Sequence, residues 1–158
     1  KTSDEILKYV VGRPWSLVRF DRRSLITSDA PVSLVPDPAE DPSHGVGYMT
    51  AWGITFPLSR RTGLLISSPK VLMEAGIPVE RVHRGEFDRT QDPTTVLERF
   101  FNLHTVSGAS EWIFHHPNDD NFVPSPLPSP NLVTVRMEGE PFEFTGEPWF
   151  GQSGQPGP

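Results

Sequence analysis

Carboxylates, guanidiniums and imidazoles gather at three places in this chain, and each place suggests a chemistry. Asp29 stands in "TSDAPV", at the end of an apolar run and two residues before Pro31. A carboxylate held at a strand end can serve as a general base or a metal ligand, with Thr27 and Ser28 to orient it. The same position suits an Asx-turn, whose carboxylate accepts hydrogen bonds from nearby backbone N–H groups, and the residues favour that turn. Arg22–Arg23 and Arg60–Arg61 each fall between apolar runs, the second pair directly after Ser59. If both turns lie at one end of a sheet, four guanidiniums make a site for phosphate or another anion; otherwise they only keep the turns soluble. "HHPNDD" (115–120) is the densest group of potential metal ligands, with His115, His116 and Asp119 as its candidates. Adjacent histidines diverge, and His104 lies too far along a helix, about 16 Å, to join them. A helix end followed by an Asn118–Asp119 turn explains the cluster more simply.

Assembled, these groups would make a phosphoester hydrolase of a nuclease-like kind. Asp29 would be base or metal ligand, with Ser59, Arg60 and Arg61 on the phosphate. No G-x-S-x-G elbow and no Gly-rich phosphate loop accompanies them, so a serine nucleophile has no support. No cofactor is expected.

The elements that must position these residues follow from pattern. Ser3 can cap a helix in which Ile6, Leu7, Val10 and Val11 share a face, closed by Gly12 and Pro14. "WSLVRF" (15–20) alternates faces, "DRR" turns, and "SLIT" (24–27) returns, which predicts a hairpin. "VSLV" (32–35) is a strand, and 36–47 is loop. "YMTAWGITFPL" (48–58) and "GLLISS" (63–68) predict a second hairpin closed by "SRRT". Residues 69–91 offer one helical turn at "KVLMEAG" in otherwise charged loop. "DPTTVLERFF" predicts a short helix with Asp92 as N-cap, and Asn102 caps a second whose face is Leu103, Val106, Ala109, Trp112 and Ile113. Gly108, costly inside a helix, implies a close packing contact. "PSPLPSP" (124–130) is a stiff linker and "NLVTVRM" (131–137) a last strand. The four tryptophans lack interleaved basic residues, which points to core packing rather than base stacking. The fold class expected is α+β: a largely antiparallel sheet of about five short strands, a helical pair on one face, and long Pro/Gly loops.

Composition sets the outer bounds. At 158 residues the chain suits one domain over 1–137, followed by an acidic, Pro/Gly-rich tail over 138–158. That tail carries Phe142, Phe144, Trp149 and Phe150 among four acids and no bases, and could dock onto a partner protein. A net charge of −6 sets an average field that repels nucleic acid and anionic membranes, so neither is an expected partner. Without cysteine, disulfides and Cys-ligated zinc are impossible. No apolar run approaches the ~18 residues that a membrane span needs. The chain opens without Met inside a helical pattern, so a fragment or processed product is expected, with a partner segment upstream.

Three segments in order carry a family resemblance: "RPWSLVRFDRRSLITSDAPVSL", "WGITFPLSRRTGLLIS" and "FFNLHTVSGASEWIFHHPND". Over residues 13–120 they resemble the C-terminal half of the bacterial family catalogued as domain of unknown function 4238. The matching positions are Trp15, Thr27, Ser28, Asp29, Pro31, Pro57, Leu58, Ser59 and Asn102. Ala30 stands where that family often has Asn, and the family's N-terminal His-His-x-x-Pro half is absent here. The resemblance implies a soluble, cytoplasmic bacterial protein of uncharacterised activity. This sheet-bearing domain would be a scaffold or interaction module for a missing N-terminal helical half.

Overall fold

A computed structural model describes residues 7, 10–39 and 45–128. Five strands form one sheet in the order β3-β4-β5-β1-β6. They are β1 (Trp15–Arg19), β3 (Ser33–Val35), β4 (Gly53–Ser59), β5 (Thr62–Ser67) and β6 (Arg89–Gln91). Every neighbouring pair is antiparallel except β1 and β6, which run parallel. A separate ribbon pairs β2 (Thr27–Ser28) with β7 (Ile113–Phe114). Two short helices, α1 (Lys70–Glu74) and α2 (Val79–His83), carry the chain from β5 to β6. One long helix, α3 (Thr95–Gly108), packs on β2, β3 and β4. The expected mostly antiparallel α+β fold is what the chain adopts.

Strand alternation sorts the core onto the two faces of the sheet. On one face Val18, Phe20, Leu25 and Leu65 pack with Phe101 of α3, and the Phe20 and Phe101 rings meet edge to face at 6.3 Å. Gly63 lies in register with Val18 on that face, and a Cβ there would stand 2.7 Å from the Phe101 ring. The helix can sit this close only because that strand position has no side chain. On the other face Ile54 and Ile66 pack with Ala51, Val10, Trp15 and Val46. The Arg13 guanidinium ties that layer down by donating to Ala51 O at 2.8 Å and Tyr48 O at 2.6 Å.

Several expectations need correcting. The segment after β1 does not return as a hairpin. Phe20 N donates to Arg61 O and Leu25 N to Arg60 O, so residues 20–25 run along the β4–β5 turn instead. Residues 48–50 are turn and β4 starts only at Gly53, because Thr50 N and Ala51 N both fold back onto Gly47 O. Pairing of Gln91 with Val18 keeps the chain extended past Asp92, so the N-cap is Thr94, whose side chain accepts from Leu97 N at 3.1 Å. Asn102 does not start a second helix; it lies inside α3, which runs unbroken to Gly108. The helical pair is therefore one helix, and Trp112 and Ile113 fall beyond it. Gly108 ends α3 with the close contact its sequence implied, since a Cβ there would meet Ser33 Oγ at 3.1 Å. Trp52 and Trp112 are substantially exposed, against the core packing expected of them. Leu7, Val10 and Val11 are helical, while the rest of the N-terminal helix, the 131–137 strand and the 138–158 tail lie outside the described residues.

Candidate functional site

The two arginine turns do meet, as the sheet-end reading required, but Arg23, Arg60 and Arg61 each bond to a different part of the scaffold. Arg61 Nη1 donates to Asp21 O at 2.5 Å and to Arg23 O at 3.2 Å, fastening the turn that follows β1. Arg60 grips Asp119 with two bonds, Nε to Oδ2 at 2.7 Å and Nη2 to Oδ1 at 2.9 Å. Ser59 Oγ closes its own turn by accepting from Arg61 N at 3.2 Å. Arg23 Nη1 donates to Glu98 Oε2 at 2.9 Å, and Arg22 is exposed. The four side chains therefore do not converge as an anion site, and the phosphoester hydrolase reading finds no support here.

Asp29 proves to be a staple between distant backbone segments. Its carboxylate accepts from Ser110 N at 3.0 Å, Glu111 N at 2.8 Å and Trp112 N at 3.4 Å, while its own N–H donates to Trp112 O. The turn it caps is the one leaving α3, some eighty residues away, rather than its own. Desolvation works against the carboxylate, but the N–H groups of Glu111, Ser110 and Trp112, with its own, hold it below the ordinary Asp value. Ser28 Oγ supports the kink by accepting from Ala30 N.

The histidine cluster also serves a turn. His116 caps the 3-10 helix Pro117–Phe122 by accepting from Asn118 N at 3.2 Å, and His115 Nδ1 lies 3.4 Å from Asp120 Oδ1. Asp119 faces Arg60 rather than either histidine's ring nitrogens at bonding distance, and that guanidinium's hydrogen bonds hold its carboxyl down to about 2. Among the described residues no three His, Asp or Glu side chains are grouped to hold a metal ion.

What sequence reasoning missed is a buried polar network on the inner face of α3. Glu98 and Asn102, one turn apart, are both almost fully buried. Asn102 Oδ1 accepts from Ile26 N at 3.0 Å, and its Nδ2 donates to Ser24 O at 3.0 Å and Glu98 Oε1 at 2.7 Å. A bond of 3.3 Å to Phe122 O reaches the end of the 3-10 helix. Arg23 completes the chain on the outer side of Glu98. The signal was available: Glu, Asn and Thr recur at the helical spacing of Phe101 and Val106, which puts polar groups on the core face.

This network floors a cleft of about 540 Å³ between α3 and the segment leaving the 3-10 helix, within the range of ligand pockets. Its walls are Leu103, Phe122, Val123, Pro124 and Pro126, and its charged groups are Arg23, Arg99 and Glu98. The start of the Pro-rich stretch, expected to be a linker, is therefore one wall of the cleft. Arg99 is exposed, and Arg23 has one donor committed to Glu98. A smaller hollow of about 350 Å³ lies between Phe20–Arg23 and Pro93–Thr95.

No curated protein and no solved structure matches this chain. A family match covers residues 1–119, taking in more of the N-terminal residues than the three motif segments did, and it does not bear out a restriction to the family's C-terminal half. Among the described residues no helix is long and apolar enough to cross a membrane. With its sheet, Trp15 strand, "TSDAPV" kink and Asn102 helix inside the matched span, the chain belongs to DUF4238, a family of proteins of unknown function.

Proposed function

We propose that this domain is an interaction module whose sheet holds α3 in place and offers the outer face of that helix to a helical partner segment. One observation carries the reading. Val96, Phe100 and Leu103 fall at i, i+4 and i+7 along α3, with Val96 76% and Leu103 46% exposed and Phe100 partly packed against the core. Phe100 is half-buried and meets Trp52, itself exposed, edge-on at 6.2 Å. An apolar stripe at this spacing is what an amphipathic helix packs against, and a helix with its polar face outward would not carry it. The occupant this spacing fits is an amphipathic helical segment of a partner protein. A cytoplasmic bacterial setting belongs to the same reading.

The test is titration of the full chain with a synthetic amphipathic helical peptide that carries apolar residues at i, i+4 and i+7, followed by calorimetry. Binding is expected, and Val96→Glu should abolish it while leaving the melting temperature unchanged, because Val96 touches little of the fold. Failure to bind, or binding indifferent to Val96→Glu, would overturn the proposal.

A further inference from the structure

The cleft beneath α3 shares Leu103 with the outer-face stripe but has its own chemistry. Its opening carries two cations, exposed Arg99 and the free side of the Arg23 fork, above apolar walls formed by Leu103, Phe122 and Pro126. Such a cleft suits a segment that alternates carboxylates with aromatic rings: guanidinium forks take carboxylates, and aromatic faces cover proline, aliphatic and guanidinium groups. This chain contains such a segment. Residues 138–150 read "EGEPFEFTGEPWF", with four acids, no base and four aromatic residues.

Chain connectivity brings the two together. Pro124, Ser125 and Pro126 are cleft wall, and nine residues separate Pro128 from Glu138. Even fully extended that tether keeps Glu138 within about 35 Å of Pro128, at the edge of the cleft. A short tether of this kind gives an effective concentration in the mM range, enough to make weak contacts count. We infer that residues 138–150 are the occupant of the Arg23–Arg99 cleft in the same molecule. Leu103 belongs to both surfaces, but Val96 does not line the cleft, so Val96→Glu and Arg99→Glu distinguish this inference from helix docking on the outer face of α3.

The absence of cysteine makes the test clean. Gln152→Cys in the full chain takes a single nitroxide label just beyond Phe150, and paramagnetic broadening is read on the amides of a 15N-labelled sample. Broadening should concentrate on residues 99–103 and 122–126. It should largely disappear in Arg99→Glu, which removes an exposed charge and no bond of the fold, and fall in high salt. An unlabelled peptide of residues 138–150 added in excess should relieve it. Broadening that is absent, even over the surface, centred elsewhere or indifferent to Arg99→Glu would overturn the inference. So would broadening that appears only when spin-labelled and 15N-labelled chains are mixed, because the segment would then dock between copies.

Discussion

Asp119 keeps its charge in a place where water is nearly excluded, with a side chain 6% exposed, because Arg60 meets both of its oxygens. That pairing has a pH signature. Its carboxyl is held near 2 in the folded chain against an ordinary 3.8, so the unfolded chain takes up a proton first as pH falls. The stability it contributes is complete above about 4 and is lost as pH falls from there toward 2. His104 adds an earlier phase. Burial holds its imidazole, stacked edge-on against Phe100 at 4.6 Å, below the ordinary 6.5, so stability falls once pH drops through that value. Unfolding by urea at a series of pH values should therefore show two losses. His104→Gln should remove the first, and Asp119→Asn should shrink the second. Asp29 belongs to the second window as well, since its pKa is also lowered, and Asp29→Ala should lower the melting temperature at pH 7 despite its exposed position. An Asp29→Ala variant as stable as the parent would mean that the carboxylate is not holding the Ser110–Trp112 turn.

At the scale of elements, side chains stand in for missing strand partners. Residues 24–26 have no partner strand among the described residues, and Asn102 supplies an acceptor for Ile26 N and a donor for Ser24 O from inside α3. Asn is a poor helix former, and these bonds offset that cost. Asn102→Ala would leave both backbone groups buried and unpaired, for a loss of about 2–5 kcal/mol by denaturant unfolding. Gly63→Ala tests the packing beside it. The added methyl would overlap a fully buried Phe101 ring, and overpacking of this sort costs about 1–3 kcal/mol. Gly108→Ala should be milder, because it meets only the Ser33 hydroxyl and gains helix propensity. These same contacts explain what could be read from the sequence. The β4–β5 hairpin, β1 and β3 were legible because alternation and a polar turn are local signals. The false hairpin after β1 was not avoidable by pattern, since "SLIT" looks like a strand and its partners are a turn about 35 residues away, one amide on α3 and, for Thr27, the distant β7. Asp29 was legible as a turn residue, yet the turn it holds lies at the far end of α3. The cleft stayed hidden because it is made by Arg23, α3 and residues 121–126, which no sequence spacing relates.

For the whole molecule, the two faces of the sheet are covered by different means, and that sets where it opens first. One face is closed by α3, through Phe101 and the Asn102 bonds; the other by Val10, Val46 and Ala51, tied in by Arg13. β5 is the middle strand, paired along its length with β4 and β1, and its side chains feed both layers. β6 is an edge of three residues, without buried side chains, whose one strand neighbour among the described residues is β1. Local opening follows burial and hydrogen-bond closure, so exchange should be graded across the sheet. Hydrogen–deuterium exchange of the full chain should find Leu64–Ile66 and Leu17–Val18 the slowest, with Arg89–Gln91 and α1 among the first to exchange. α3 should divide along its length. Phe101–Val106, fastened to the sheet, should exchange with the core, while the amides near Val96 should exchange sooner and become protected when a helix docks on its outer face. If α3 exchanged as fast as β6 throughout, it would be no rigid platform, and neither the helix-docking surface nor the cleft beneath it would have a fixed wall.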